Sequence, residues 1–297
     1  MTTTDVRPQV HADKSDGPLK RRPEVSGREK LLRYVLLLFV LVITVGPFLW
    51  QLSTSLKGAG EDIYTATPSF IPKQPTLDNY AKVAEAIPVW RYIGNSLLVA
   101  ALTVGGNILF ATAAGYAIAR LRFRGRRVVL GLFLGTLVLP GEVTIIAQYV
   151  TVRSFGLADT LAGVALPGMV AALNVLLMYN AFRALPQEVD EAAIVDGATV
   201  PQRLWRVSLP AVRGTLAVVA IFAFIQAWDD FLWPLIVLTS PEKLTLTVGL
   251  QYLSGTFTQD QRLIAAGTMI AFIPIAILFS ALQRYFFKGV EEGGVKG

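Results

Sequence analysis

Six apolar stretches, each near or above the roughly 20 residues that a helix needs to cross a bilayer, constrain this chain more than any other feature. They run from Leu31 to Leu52, Ser96 to Ala119, Val128 to Val150, Leu161 to Phe182, Ala211 to Leu238 and Leu263 to Tyr285. Charged residues make up only 16% of the chain, against about 25% in a soluble domain, and mean hydropathy is +0.52. In lipid the backbone must satisfy its own hydrogen bonds, so spans of this length fold as helices. The expected fold is an all-α integral membrane protein, a six-transmembrane-helix bundle. Pro140-Gly141-Glu142 interrupts the third span and Pro274 the sixth. Both are places for a kink, because proline removes a backbone donor.

Basic residues orient the bundle. Eight Lys/Arg lie between Arg7 and Arg33; Arg120, Arg122, Arg124, Arg126 and Arg127 follow the second span. Arg183, Arg203, Arg206 and Arg213 lie between the fourth and fifth, and Arg284, Lys288 and Lys296 in the tail. The opposite side keeps the other seven of 27. The positive-inside rule puts both termini and the fourth-to-fifth connection in the cytoplasm, with Trp50, Trp90, Tyr92 and Trp233 as an outer aromatic belt. The net charge of +6 is thus a topology signal, and nucleic acid is not an expected partner. Residues 1–28 read as a disordered cytoplasmic extension and 29–297 as the membrane domain, embedded in lipid. No small-residue cleavage site follows the first span, so it is expected to remain as an anchor. The chain has no cysteine, and its single histidine, His11, falls in the extension. Thiol chemistry, a histidine triad and a Cys/His metal site therefore lack material, and no catalytic or metal residue is expected.

Between the fourth and fifth spans lies a polar connection, residues 186–210. Leu185-Pro186 opens a short helix whose first turn carries Glu188, Asp190 and Glu191, where carboxylates favour the helix dipole. Glu191-Ala192-Ala193 leads to Asp196-Gly197-Ala198, and Gly197 suits a left-handed helix end. Thr199 and Gln202 then form a capping box for a second helix carrying Leu204, Trp205 and Val207 before Leu209-Pro210. Two short helices joined at a glycine make an elbow suited to docking.

This spacing resembles the EAA motif of ABC importer permeases, matched at Glu191, Ala192, Ala193, Gly197, Leu209 and Pro210. Asn79-Tyr80, Asn95-Ser96, Trp228 to Leu235, Gln283 to Phe286 and Gly293 to Gly297 are similar to the carbohydrate branch, in particular to the smaller, six-span partner of a heterodimeric permease. The resemblance implies a second, different permease subunit, two ATP-binding subunits and an extracytoplasmic sugar-binding protein. It also implies that Glu191 to Pro210, with Asp196 and Trp205, couple to the ATPase. No GxxxxGK[ST] phosphate loop occurs in the chain, so no cofactor is expected on it; ATP and Mg belong on the ATPase subunits. The family usually has Asn at the position of Asp229.

Carboxylates in or near a span face a cavity or a partner. Glu142, Asp229 and Asp230, with Trp228, are therefore candidates for a translocation pathway. The alternative is that they mark the outer membrane edge, and Trp205 is equally readable as an interfacial anchor. An importer subunit for a sugar is the leading function. Glycerol phosphate or another polar solute is an alternative cargo. A secondary transporter using Glu142, Asp229 and Asp230 for ions is a second class, and a membrane enzyme a third and weaker one.

Overall fold

The computed structural model describes residues 27–65, 69–257 and 260–294. The expected disordered extension lies outside the described residues, except that Gly27 and Arg28 already belong to the first helix. The family-like tail beyond Gly294 also lies outside them.

Helix α1, Gly27–Ser55, has no buried side chain before Ser53. Its residues up to Phe48 form a unit by themselves, and a second unit begins at Leu49. The second unit is helical; among the described residues it has no β-strand, only an isolated bridge between Lys57 and Pro75. Helix α2, Asp78–Ala86, holds the connection after α1. Buried Asn79 donates to Ser55 O and Lys57 O at 2.8 and 2.9 Å, satisfying carbonyls at the end of α1.

The second span is continuous over Val89–Arg120. It comprises α3, Val89–Gly106, a π-type turn, Asn107–Ala111, and α4, Thr112–Arg120. The third span differs from the expected kink. Helix α5, Arg126–Thr136, and the segment that ends in α6, Ile145–Ser154, meet at 104°. Pro140 is extended there and a 3-10 turn, Gly141–Thr144, follows.

The fourth span, read as one stretch from sequence, is two helices. These are α7, Leu161–Gly168, and α8, Ala172–Ala184, bent by 44°. Helix α7 stops one residue past Pro167, and the backbone groups left open at the break find one partner. Asn107 Nδ2 donates to Gly168 O at 2.8 Å, and Asn107 Oδ1 accepts from Ala171 N–H at 3.1 Å and from Asn174 Nδ2 at 2.9 Å. A break at membrane depth is tolerated where neighbours re-satisfy the backbone; here the widened turn of the second span supplies that neighbour. Close helix approach adds van der Waals contact, the main attraction between helices in lipid. Gly115 on α4 permits it, since a Cβ there would stand 2.7 Å from Met178 Cβ and 2.9 Å from Tyr179 N on α8.

Helices α9, Gln187–Val195, α10, Val200–Gln202, and α11, Leu209–Ala211, form the connection into the fifth span. That span is shorter than expected. Helix α12, Arg213–Asp229, ends where Asp230 turns extended, and α13, Leu232–Val237, is a separate short helix. Its 17 residues reach about 25 Å, somewhat less than the roughly 30 Å hydrocarbon core. Helix α14, Leu246–Tyr252, precedes α15, Gln261–Gly294, which runs through Pro274 as one helix. Among the described residues there are thus three helices long and apolar enough to span, and up to six spans if each bent pair counts as one.

The aromatic belt is corrected in part. Trp90 is 75% exposed, but Tyr92 and Trp233 are buried in the largest core cluster. The Trp233 indole donates to Val164 O at 3.1 Å, so packing, not an interface, sets its place.

Candidate functional site

Two parts of the second unit concentrate the functional candidates: the elbow, residues 186–210, and a polar cavity at the far end of α12.

The elbow is built from local rules. Helix α9 closes in a Schellman arrangement: Ala198 N–H donates to Ala193 O at 2.9 Å and Gly197 N–H to Ile194 O at 3.0 Å. Gly197 has φ +76°, a conformation that costs other residues roughly 1–2 kcal/mol. Gln202 Oε1 accepts from Thr199 N–H at 2.8 Å, completing the capping box. A π-type stretch, Arg203–Ser208, then leads through α11 at 90° into α12. Glu191, Ala192, Asp196, Trp205 and Pro210 are exposed, Leu209 is half-buried and Ala193 is buried. Val195 is 87% exposed, so the outward face mixes apolar and acidic side chains.

The inward face holds residues that sequence reasoning missed. Asp190, read only as a first-turn carboxylate, accepts from the Tyr116 hydroxyl at 2.9 Å and pairs with Arg203 Nη1 at 3.1 Å. The Asp190 and Arg203 side chains retain only 13% and 10% of their exposure. Arg120, at the end of α4, donates to Leu185 O at 2.6 Å, where α8 passes into the elbow. Leu204 enters the apolar cluster of Tyr116, Met178, Phe182 and Val219. The elbow is therefore clamped to α4 and α8 by polar and apolar contacts together. The sequence signal was the opposite charges on either side of Gly197.

The cavity has a volume of about 460 Å³. It opens where helices break: at the 3-10 turn after Pro140, at Pro167-Gly168, and at the end of α12. Glu142, Asp229 and Asp230 all line it, with Gln148, Gln226 and Thr103. Asp230 also shapes the local backbone: Oδ1 accepts from Trp233 N–H at 3.3 Å, and its carbonyl accepts from Thr247 Oγ1 at 2.7 Å. Glu142 and Asp229 are exposed, and neither has a side-chain hydrogen bond or ion pair among the described residues. No three Asp, Glu, His or Cys side chains among the described residues stand close enough to share an ion. Trp228 stands apart from the cavity. It is buried, stacks on Phe224 with ring centroids 5.6 Å apart, and donates to Ala271 O of α15 at 3.1 Å.

Comparison with known proteins decides the family. Residues 107–292 match the family described as binding-protein-dependent transport system inner membrane component. The chain belongs to that family. The permease is 34% identical to the arabinooligosaccharides transport system permease protein AraQ of Halalkalibacterium halodurans, over 87% of this chain and 94% of the relative. It is 33% identical to the galactooligosaccharides transport system permease protein GanQ of Bacillus subtilis, over 90% and 95%. In fold, it resembles a chain of a bacterial ABC transporter involved in the import of the acidic polysaccharide alginate. That match has a TM-score of 0.76 at 24% identity and covers 89% of this chain and all of the other. Family membership makes this a transport subunit of the membrane and accounts for its run of apolar helices.

Proposed function

We propose that the chain is the permease subunit of an ATP-binding-cassette importer carrying a neutral sugar or oligosaccharide into the cytoplasm by alternating access. The observation that carries this reading is mechanical: α12 starts at the elbow with Arg213 and ends at the cavity with Asp229. A displacement of the elbow is thus transmitted along one helix to the cavity wall. Glu191, Ala192, Asp196, Trp205 and Pro210 present the docking face to an ATPase subunit. Ala193 and Leu209 tie that face to the bundle. ATP and Mg act on two such ATPase subunits; a second, different permease completes the pathway, and an extracytoplasmic binding protein delivers the cargo. Both termini lie inside, on the same side as the elbow.

Oligosaccharide cargo is favoured by the names of the full-length relatives. The cavity favours a neutral form of it. Its lining has three carboxylates and no Lys, Arg or His, which disfavours an acidic solute such as glycerol phosphate by like-charge repulsion.

In the reconstituted importer, Gly197→Pro or Glu191→Lys is expected to abolish sugar-stimulated ATP hydrolysis while the protein remains in the membrane. Normal stimulation in both variants would refute the coupling role. Uptake that persists without ATPase subunits and follows an ion gradient would overturn the importer reading in favour of an ion-coupled carrier. A thermal-shift screen of the cognate binding protein identifies the cargo, since a ligand of the folded state raises its stability.

A further inference from the structure

The loop between α4 and α5 takes no part in the elbow's docking face or in the cavity, yet it concentrates charge. Arg120, Arg122, Arg124, Arg126 and Arg127 fall within eight residues, and no acidic residue stands between Glu85 and Glu142. Gly125, at φ +86°, reverses the chain in the middle of the run. Two of the five arginines are used internally: Arg120 on Leu185 O, and Arg126, whose Nη2 donates to Ala119 O at 3.1 Å. Arg122, Arg124 and Arg127 are exposed, and none pairs with a carboxylate among the described residues. Together with Phe123 and Val128 the loop lines a groove of about 670 Å³.

The groove continues into an apolar surface. Helix α5 has no buried side chain; Val128 and Leu132, one turn apart, are 65% and 66% exposed. A positive-inside signal needs only charge, and lysine serves it as well as arginine. This loop has more: arginine alone, a groove that gathers it, and an apolar stripe leading away. The guanidinium is a planar fork that binds phosphate oxygens in pairs, which an ammonium cannot do.

We propose that the α4–α5 loop is a binding site for the phosphodiester headgroup of an anionic phospholipid. Arg122, Arg124 and Arg127 hold the phosphate, and the acyl chains lie along Val128 and Leu132. The site sits beside the point where Arg120 fastens the elbow to α4. It depends on the chain spanning a membrane and not on the cargo or the coupling role.

The test uses the full-length chain, purified in detergent and offered equal amounts of phosphatidylglycerol and phosphatidylcholine, with bound lipid read by native mass spectrometry. Wild type is expected to retain phosphatidylglycerol over phosphatidylcholine by about a hundredfold, as three favourable headgroup contacts imply. The triple variant Arg122→Gln, Arg124→Gln, Arg127→Gln is expected to lose the preference. Because loss of charge can also disturb insertion, the decisive variant is Arg122→Lys, Arg124→Lys, Arg127→Lys. It keeps the charge, so it is expected to insert normally and still to favour the anionic lipid, yet to retain several-fold less phosphatidylglycerol than wild type because an ammonium cannot bind phosphate oxygens in pairs. Equal retention of the two lipids by wild type overturns the proposal, as does undiminished retention of phosphatidylglycerol by the lysine variant. Displacement of the lipid by millimolar inorganic phosphate also overturns it, since the groove would then be a site for free phosphate.

Discussion

The elbow and the cavity lie at opposite ends of α12 and treat their polar groups in opposite ways. In the elbow, Asp190 is nearly buried and fully engaged, with Tyr116 on one oxygen and Arg203 on the other. In the cavity, Glu142 and Asp229 are exposed, their oxygens without a partner among the described residues. A part that transmits force gains from matched, buried contacts that stiffen it. A part that meets a polar solute gains from leaving its acceptors free. Stability and transport should therefore separate: changes at the clamp act on stability first, and changes at the cavity carboxylates on transport alone.

The sharpest way to break this contrast is at Asp190. Asp190→Ala leaves the Arg203 charge nearly buried and unpaired, and breaking such a pair costs about 3–5 kcal/mol. The purified protein should show a large fall in its thermal unfolding midpoint. Tyr116→Phe, which removes one donor to the charged carboxylate, should cost less, about 1.5–3 kcal/mol. If Asp190→Ala unfolds like wild type, the elbow is not clamped and the contrast fails.

Asn107 comes next. Asn107→Ala strips the partner from Gly168 O and Ala171 N–H at the break of the fourth span, at about 1–3 kcal/mol for each buried group left unsatisfied. The expected result is a lower unfolding midpoint, with earlier proteolysis between α7 and α8. Preserved stability would mean that the break is held by its own helices.

These two sites also mark what could be read from the chain. The Schellman turn at Gly197 and the Thr199–Gln202 capping box depend on geometry within six residues, and their signals are local. The family spacing across Glu191 to Pro210 was likewise visible. The clamp was not, because Tyr116 and Asp190 are 74 positions apart and no periodicity connects them. The break in the fourth span stayed hidden for a similar reason: hydropathy is continuous through Pro167, and the group that makes the break tolerable is 61 positions from Gly168. Trp228 misled in the opposite direction. Its place beside two carboxylates suggested the pathway, but α12 ends immediately after it and turns Asp229 into the cavity lining while Trp228 faces α15. Asn79 and Asn95 were family marks in the sequence. Each proves to donate to two carbonyls where chain segments meet, Asn95 to Glu242 O and Leu244 O.

A smaller effect is expected at Asp159, in the loop before α7. The Lys243 ammonium beside it, with the Ser240 hydroxyl and two backbone N–H donors, holds its carboxyl well below the usual carboxylate range. A depressed folded-state value stabilises the fold above the unfolded value of about 3.9, and the contribution is lost as pH falls below that, towards the folded value. Asp159→Asn should lower the unfolding midpoint slightly at neutral pH and flatten its decline in acid. The change is small because the pair is partly exposed and screened. An unaltered acid profile would show that the clip between this loop and Ser240 adds nothing.

The smallest structural effect, and the one that decides the contrast, belongs to the cavity carboxylates. Glu142→Gln and Asp229→Asn remove charge from groups without hydrogen-bond partners among the described residues, so each should change stability by no more than about 0.5 kcal/mol. Neither should alter membrane insertion, since each replacement is nearly isosteric. Uptake is a different matter: removing like charge from the lining lowers the barrier to an acidic analogue while leaving amide groups to contact neutral hydroxyls. The reconstituted importer, given a neutral oligosaccharide and a uronic-acid analogue that its binding protein accepts, should take up relatively more of the acidic one in the double variant. A changed uptake ratio at unchanged stability would separate the two ends of α12 as force-bearing and solute-facing. An unchanged ratio at unchanged stability would leave Glu142 and Asp229 as surface carboxylates beside the pathway and return the choice of cargo to the binding protein.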